Sequence, residues 1–121
     1  MKKRIYWMSR HAPLASQVQA LERLFGEVEI IQDPKPFDSA DDILSRFHAS
    51  GADEIVVVAP LSVIAALTQR GIKPLWAEME LVNDPSQAEV EAAGRYYRFR
   101  RFRRVIGIEI RFEELTEGGE Q

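Results

Sequence analysis

The chain has 121 residues, 45% of them apolar, and carries a net charge of −3 with a pI near 5.4. These values predict one domain with a packed core and exclude a disordered chain. The acidic balance argues against a protein that coats nucleic acid generally, so any binding of a polyanion must be local. Without cysteine, with two histidines and with no glycine-rich phosphate loop, the sequence predicts no metal and no bound cofactor.

The chain alternates between predicted strands and predicted helices up to about residue 82. Apolar residues run continuously or alternate in the strands, and recur every three or four positions in the helices. The predicted strands are residues 3–8, 28–31, 54–59 and 75–82. The predicted helices start at Pro13, Ser39 and Pro60 and end at Gly26, Gly51 and Gly71. This order predicts an α/β fold, a three-layer Rossmann-like sandwich with a mostly parallel sheet.

The alternation of predicted strands and helices ends after Val82. Residues 83–86 form a predicted turn that leads into a short helix ending at Gly94. We expect residues 1–115 to form a single domain and residues 116–121 to be a flexible polar tail. No apolar run is long enough to span a bilayer, and Arg10 and His11 interrupt the N-terminus too early for a signal peptide. We therefore expect a cytoplasmic protein with no membrane partner.

Residues 95–104 hold six arginines, four aromatics and no acid, and without these six charges the other 111 residues carry −9. A strand with a β-bulge near Arg100-Arg101 would place Tyr97, Phe99 and Phe102 on one face, together with Ile106 and Ile108. Residues 106–112 alternate apolar and polar side chains, which predicts a strand with one buried face. We expect these last strands to lie antiparallel at the edge of the sheet.

The arginine-rich segment has three interpretations, which the sequence leaves open. Arg98, Arg101 and Arg103 could contact nucleic acid, while the aromatics stack on bases. They could instead form an interface, with a second copy of the chain the favoured partner, as in a homodimer. They could finally pair with acids of the same chain, such as Glu109, Glu113 and Glu114. Glu78 and Glu80 share one side of the fourth strand and could bind a cation, but two carboxylates on a strand are more often simply solvated, which is the interpretation we favour.

The best candidate for chemistry follows the first strand, because ligands of parallel sheets bind beyond the carboxyl ends of the strands. There Arg10 could hold a phosphate, Ser9 could donate a hydrogen bond, and His11 could act as acid or base. Gln17 and Ser62 could contact the same ligand. Helix capping is the alternative role of the polar side chains at these positions, and Arg10 would then be solvated.

The opening Ile5-Tyr6-Trp7-Met8-Ser9-Arg10-His11, leading into a helix with Gln17, resembles the start of small CRISPR-accessory proteins related to the CRISPR-associated Rossmann-fold domains. Members of that group bind cyclic oligoadenylates, and some cleave them without a metal as ring nucleases. The resemblance implies that Ser9, Arg10 and His11 contact ligand phosphates, with Arg10 and His11 catalytic if the protein is an enzyme. It also implies a two-fold dimer that completes the site.

Two functional hypotheses follow. The first is a small domain that binds a nucleotide or short RNA, and that senses or cleaves a cyclic oligonucleotide. The second is a non-enzymatic module that forms homo-oligomers through the arginine-rich C-terminal strand.

Overall fold

A computed structural model of the chain describes residues 1–119 and has an α/β fold with a six-stranded mixed sheet and three helices. The strands are β1 (Lys3–Met8), β2 (Val28–Gln32), β3 (Glu54–Val57), β4 (Leu75–Val82), β5 (Val90–Ala92) and β6 (Arg95–Arg104). The helices are α1 (Ala15–Phe25), α2 (Ala40–Ser50) and α3 (Leu61–Gln69). Among the described residues, no helix is long and apolar enough to cross a membrane.

The strands lie in the order β2-β1-β3-β4-β6-β5 in a strongly curled sheet. The neighbours β2, β1, β3 and β4 pair in parallel, whereas β6 pairs antiparallel with both β4 and β5. The chain therefore moves to one side of β1 to form β2, and to the other side to form β3 and β4. This reversal opens a crevice at the carboxyl ends of β1 and β3.

Alternate side chains of β1 belong to two separate apolar clusters. Ile5 and Trp7 pack with Ala20 and Leu21 of α1, whereas Tyr6 and Met8 pack in the cluster that contains residues of α2 and α3. The alternation follows from the pleat of the strand, which sends successive side chains to opposite faces. The side chains of β1 are buried from Ile5 to Met8, which fixes the loop that follows in a defined position.

The segment that precedes β6 differs from the sequence prediction. The predicted helix ending at Gly94 is wrong, because residues 90–104 form a hairpin of β5 and β6. The turn between the strands has positive φ at Ala93 (53°) and Gly94 (76°). Two successive residues with positive φ suit the tight turn of a β-hairpin. Thus β5 occupies the edge of the sheet, and β6 lies one strand inside it.

The predicted bulge in the arginine-rich strand is confirmed. Glu78 pairs with Arg101 and Met79 with Phe99, so Arg100 is the extra residue. The bulge brings Phe99 and Phe102 to the same face, where their ring centroids lie 4.9 Å apart within the cluster against α1. Tyr97 is half-buried and lies opposite Leu81.

The prediction of a strand over residues 106–112 is wrong, because this segment has no strand pairing. Val105 and Ile108 pack against the cluster of α2 and α3, but Ile106, Ile110 and Phe112 are exposed. Apolar and polar residues alternate in this segment, but no strand among the described residues pairs with it. Of the predicted flexible tail, residues 120 and 121 lie outside the described residues.

Candidate functional site

A pocket of about 440 Å³ lies at the carboxyl ends of β1, β2 and β3, where the strand order reverses. We call it the basic pocket, and its lining includes Ser9, Arg10, His11, Lys35 and Phe37. Arg10 and His11 come from the loop after β1, whereas Lys35 comes from the loop after β2. Two cations from separate loops therefore meet at the position where an open parallel sheet binds ligands.

The loop that carries Arg10 is held by its neighbours on both sides. The indole Nε1–H of Trp7 donates a 2.8 Å hydrogen bond to the carbonyl oxygen of His11. Gln32 donates through Nε2 to the carbonyl oxygen of Ser9 at 3.2 Å. The Ser9 hydroxyl oxygen accepts from the backbone N–H of His11 at 3.1 Å. The backbone is thus fixed, while the side chains of Arg10 and His11 are exposed.

The motif lies farther from the helix than the sequence suggested. Helix α1 begins at Ala15 and not at Pro13, so residues 9–14 form a loop of their own. The alternative that Ser9 and His11 cap this helix is therefore wrong, because the N-cap of α1 is Leu14. The side chain of Gln17 accepts from the backbone N–H of Leu14 at 2.8 Å, as expected for its capping alternative.

The loop that carries Lys35 is organised by Arg46 of α2, a residue that the sequence analysis did not single out. Its guanidinium donates to the carbonyl oxygens of Lys35 at 3.0 Å and of Pro36 at 2.6 Å. It also pairs with Asp33 at 3.3 Å and with Asp42 at 2.6 Å. One side chain thus fixes the whole loop from residue 33 to residue 36. The only sequence signal for this role of Arg46 is its spacing from Asp42, which lies four residues earlier in the same helix.

Asp33 lines the basic pocket, but its carboxylate already accepts hydrogen bonds from other groups of the chain. The Tyr6 hydroxyl donates to its carboxylate, as do the N–H of Lys35 and the guanidinium of Arg46. Burial alone would raise the pKa of Asp33, but these hydrogen bonds outweigh it and hold the pKa below its usual value. Burial, reinforced by Asp33, raises the pKa of Tyr6 to about 12. The carboxylate of Asp33 thus accepts from three donors of the same chain, whereas Arg10 and Lys35 make no ion pair among residues 1–119 and remain as cations for a ligand.

A second pocket, of about 590 Å³, lies on the other side of the loop after β1. We call it the apolar pocket, because it is lined by Trp7, Leu14, Met79 and Val90. Ser9, Arg10, His11 and Gln17 also line it. The loop with Arg10 therefore forms a wall between a basic pocket and an apolar one.

Ser62 lies exposed in the first turn of α3 and lines neither pocket. Ser9, Arg10 and His11 line both pockets, Gln17 lines only the apolar pocket, and Ser62 lies apart from both. Lys35 and Phe37 are the pocket residues that sequence reasoning missed. Their only signal was their position in the loop after the second strand.

Four of the six arginines of β6 pair with acids of β4 and β3. Arg98 and Arg100 contact Glu80 at 2.6 and 2.9 Å, and Arg101 contacts Glu78 at 2.7 Å. Arg104 contacts Glu54 at 2.9 Å. The hydrogen bonds from Arg101 and Arg98 lower the pKa values of Glu78 and Glu80, respectively.

The interpretation of intramolecular pairing is therefore confirmed, but with different acids. Glu78 and Glu80 are paired and not simply solvated, and Glu109, Glu113 and Glu114 do not pair with β6. Arg103 makes no ion pair with any of residues 1–119. Three acids of the sheet, Glu54, Glu78 and Glu80, thus pair with four of the six arginines and match half of the positive charge of the strand.

Comparisons with protein-family models, with curated proteins and with solved structures find no match to this chain. The resemblance to CRISPR-accessory proteins therefore stays a prediction.

Proposed function

We propose that this chain is a small Rossmann-like α/β domain that binds a phosphate-bearing ligand, a nucleotide or short RNA, in the basic pocket. The observation that carries this proposal is the convergence of Arg10 and Lys35, from two different loops, on one pocket at the point of strand reversal. In this proposal α1 forms one outer layer, and α2 with α3 forms the other.

The ligand's phosphate would meet Arg10 and Lys35, with the Arg10 guanidinium suited to two parallel hydrogen bonds. The ring of Phe37, half-buried at the same pocket, offers an apolar surface for a base. Because the exposed side chains stand on a loop fixed by Trp7 and Gln32, little backbone ordering would oppose binding.

Titration calorimetry with adenine nucleotides, a short single-stranded RNA and cyclic oligoadenylates tests the proposal. We expect at least one ligand to bind, and the substitutions Arg10→Ala and Lys35→Ala each to weaken it roughly tenfold or more, since each removes a charge-assisted hydrogen bond. Arg23→Ala is the matched control, because this arginine is exposed in the last turn of α1 and lines neither pocket. If no ligand binds, or if Arg10→Ala binds as tightly as the wild type, the proposal fails.

Cleavage of the bound ligand would extend the same proposal, and His11 is the group it would use. The imidazole is exposed at the pocket, where it could donate or accept a proton during cleavage. Chromatography of a cyclic oligoadenylate after incubation distinguishes the two roles. Linear products that disappear in His11→Ala would indicate an enzyme, whereas intact ligand would indicate binding alone.

A further inference from the structure

The chain beyond Val105 leaves β6 and exposes an apolar surface. We call residues 106–115 the arm. Four of its apolar side chains are largely exposed: Ile106 (76%), Ile110 (73%), Phe112 (84%) and Leu115 (84%). Single exposed apolar residues are common, but four within ten residues form a patch of the kind that marks an interaction surface.

The arm is attached to its own domain at its base. The backbone N–H of Val105 donates to the carbonyl oxygen of Pro74 at 2.9 Å, and Ile108 packs against the core. Beyond Ile108 the side chains of the arm meet no apolar cluster among the described residues. The apolar side chains of the arm beyond Ile108 are therefore left exposed by the domain.

A groove of about 360 Å³ lies beside the base of the arm. It is lined by Trp76, Glu78, Arg103 and Ile106. Trp76 is 41% exposed, and Arg103 has no acidic partner among residues 1–119. The groove thus offers an aromatic ring and a guanidinium without an ion pair among residues 1–119, and Trp and Arg are two of the residue types enriched at interface hot spots.

The charges of the arm complement those of the groove. The arm carries Glu109, Glu113 and Glu114 against one arginine, Arg111, which pairs with Glu109 at 3.4 Å. Glu113 and Glu114 flank the exposed Phe112 and Leu115. A side chain such as Phe112 on Trp76 would bring these acids near Arg103.

We propose that the arm of one copy docks into the groove of a second copy, and the reverse, to form a two-fold homodimer. The opposite charges of the arm and the groove favour this partner, because each copy carries both surfaces and two copies can exchange arms symmetrically. The interface therefore centres on the arm and Arg103. Arg98 and Arg101, which pair within the sheet, do not contribute to it.

Sedimentation equilibrium of the full chain tests this inference. We expect the wild type to be a dimer, and both Phe112→Ser and Arg103→Glu to raise the dimer dissociation constant roughly tenfold or more. Leu24→Ser is the control, because Leu24 is an exposed leucine of α1 outside the groove. Combining Arg103→Glu with Glu113→Arg and Glu114→Arg is expected to restore dimerisation.

Circular dichroism of each variant shows whether it is folded, since the substituted side chains are exposed. A wild type that stays monomeric up to high concentration would overturn the inference, even if it binds another protein. A dimer that Phe112→Ser and Arg103→Glu leave unchanged would overturn it as well. Neither result bears on ligand binding in the basic pocket.

Discussion

The indole of Trp7 donates its hydrogen bond to the carbonyl oxygen of His11, four residues along the chain. A ring buried in the core thereby holds the loop that exposes Arg10. The same residue packs edge-on against Phe102, with the ring centroids 6.3 Å apart. The proposed site is thus connected directly to the packing of α1 against the sheet.

Replacing Trp7 with Phe is expected to weaken ligand binding without removing any side chain that contacts the ligand. The substitution leaves the His11 carbonyl without its donor and shrinks a buried ring, which together lower the free energy of unfolding by about 1–3 kcal/mol. Urea denaturation measures this loss, and calorimetry measures the affinity. Trp76→Phe is the matched control for the affinity, because Trp76 lines neither pocket beside Arg10. An unchanged affinity in Trp7→Phe would show that the loop does not depend on this hydrogen bond.

The network around Arg46 predicts that the protein loses stability in acid. The hydrogen bond from Arg46 lowers the pKa of Asp42 from 3.8 to about 2, and the pKa of Asp33 is also lowered. Carboxylates with lowered folded pKa values add stability above their unfolded pKa, and this stability is lost as the pH falls through the folded value. The free energy of unfolding should therefore fall as the pH decreases from about 4 towards 2.

Arg46→Met tests the origin of this acid dependence. Removing the guanidinium should lower the stability at neutral pH and flatten the decline in acid, because Asp33 and Asp42 then lose a partner that favours their charged forms. Urea denaturation over the pH range gives both quantities. Arg23→Met, an exposed arginine without an ion pair among residues 1–119, should follow the wild type. An Arg46→Met variant with the acid dependence of the wild type would contradict this explanation.

Because Arg100 is the extra residue of the bulge, β6 should tolerate its deletion without a change in the pairing of the flanking residues. Deleting Arg100 leaves Phe99 and Phe102 separated by one residue, which keeps both rings on one face of a regular strand. We expect the deletion to change the free energy of unfolding by no more than about 1 kcal/mol, since the lost ion pair with Glu80 is exposed. Phe102→Ala should cost about 3 kcal/mol, because this ring is buried. A deletion as costly as Phe102→Ala would show that the bulge itself is required for folding.

The sequence correctly predicted those elements whose pattern of apolar and capping residues agrees with the burial of their positions in the fold. β1 and β4 have the predicted bounds, and Ser39 caps α2 as expected, with its hydroxyl oxygen accepting from the Asp42 N–H at 3.2 Å. The bulge could be predicted because only an extra residue brings Phe99 and Phe102 to one face. These features depend on neighbours in the chain or on a single strand.

The features that sequence reasoning missed depend on partners distant in the chain. The segment 106–112 has the alternation of a strand, but a strand forms only where an adjacent edge is available. The pairing of Arg101 with Glu78 depends on β6 lying beside β4, which no local pattern specifies. Lys35 was missed for the same reason, because only the strand order brings its loop beside the loop that carries Arg10.

A crystal structure of the protein with a bound nucleotide tests the central claim most directly. We expect density for a phosphate within hydrogen-bonding distance of the Arg10 guanidinium and the Lys35 ammonium, in the pocket between the loops after β1 and β2. Crystals of Arg10→Ala soaked in the same way should lack this density. A nucleotide bound elsewhere, or an empty pocket at a concentration that saturates the protein in solution, would contradict the proposed function.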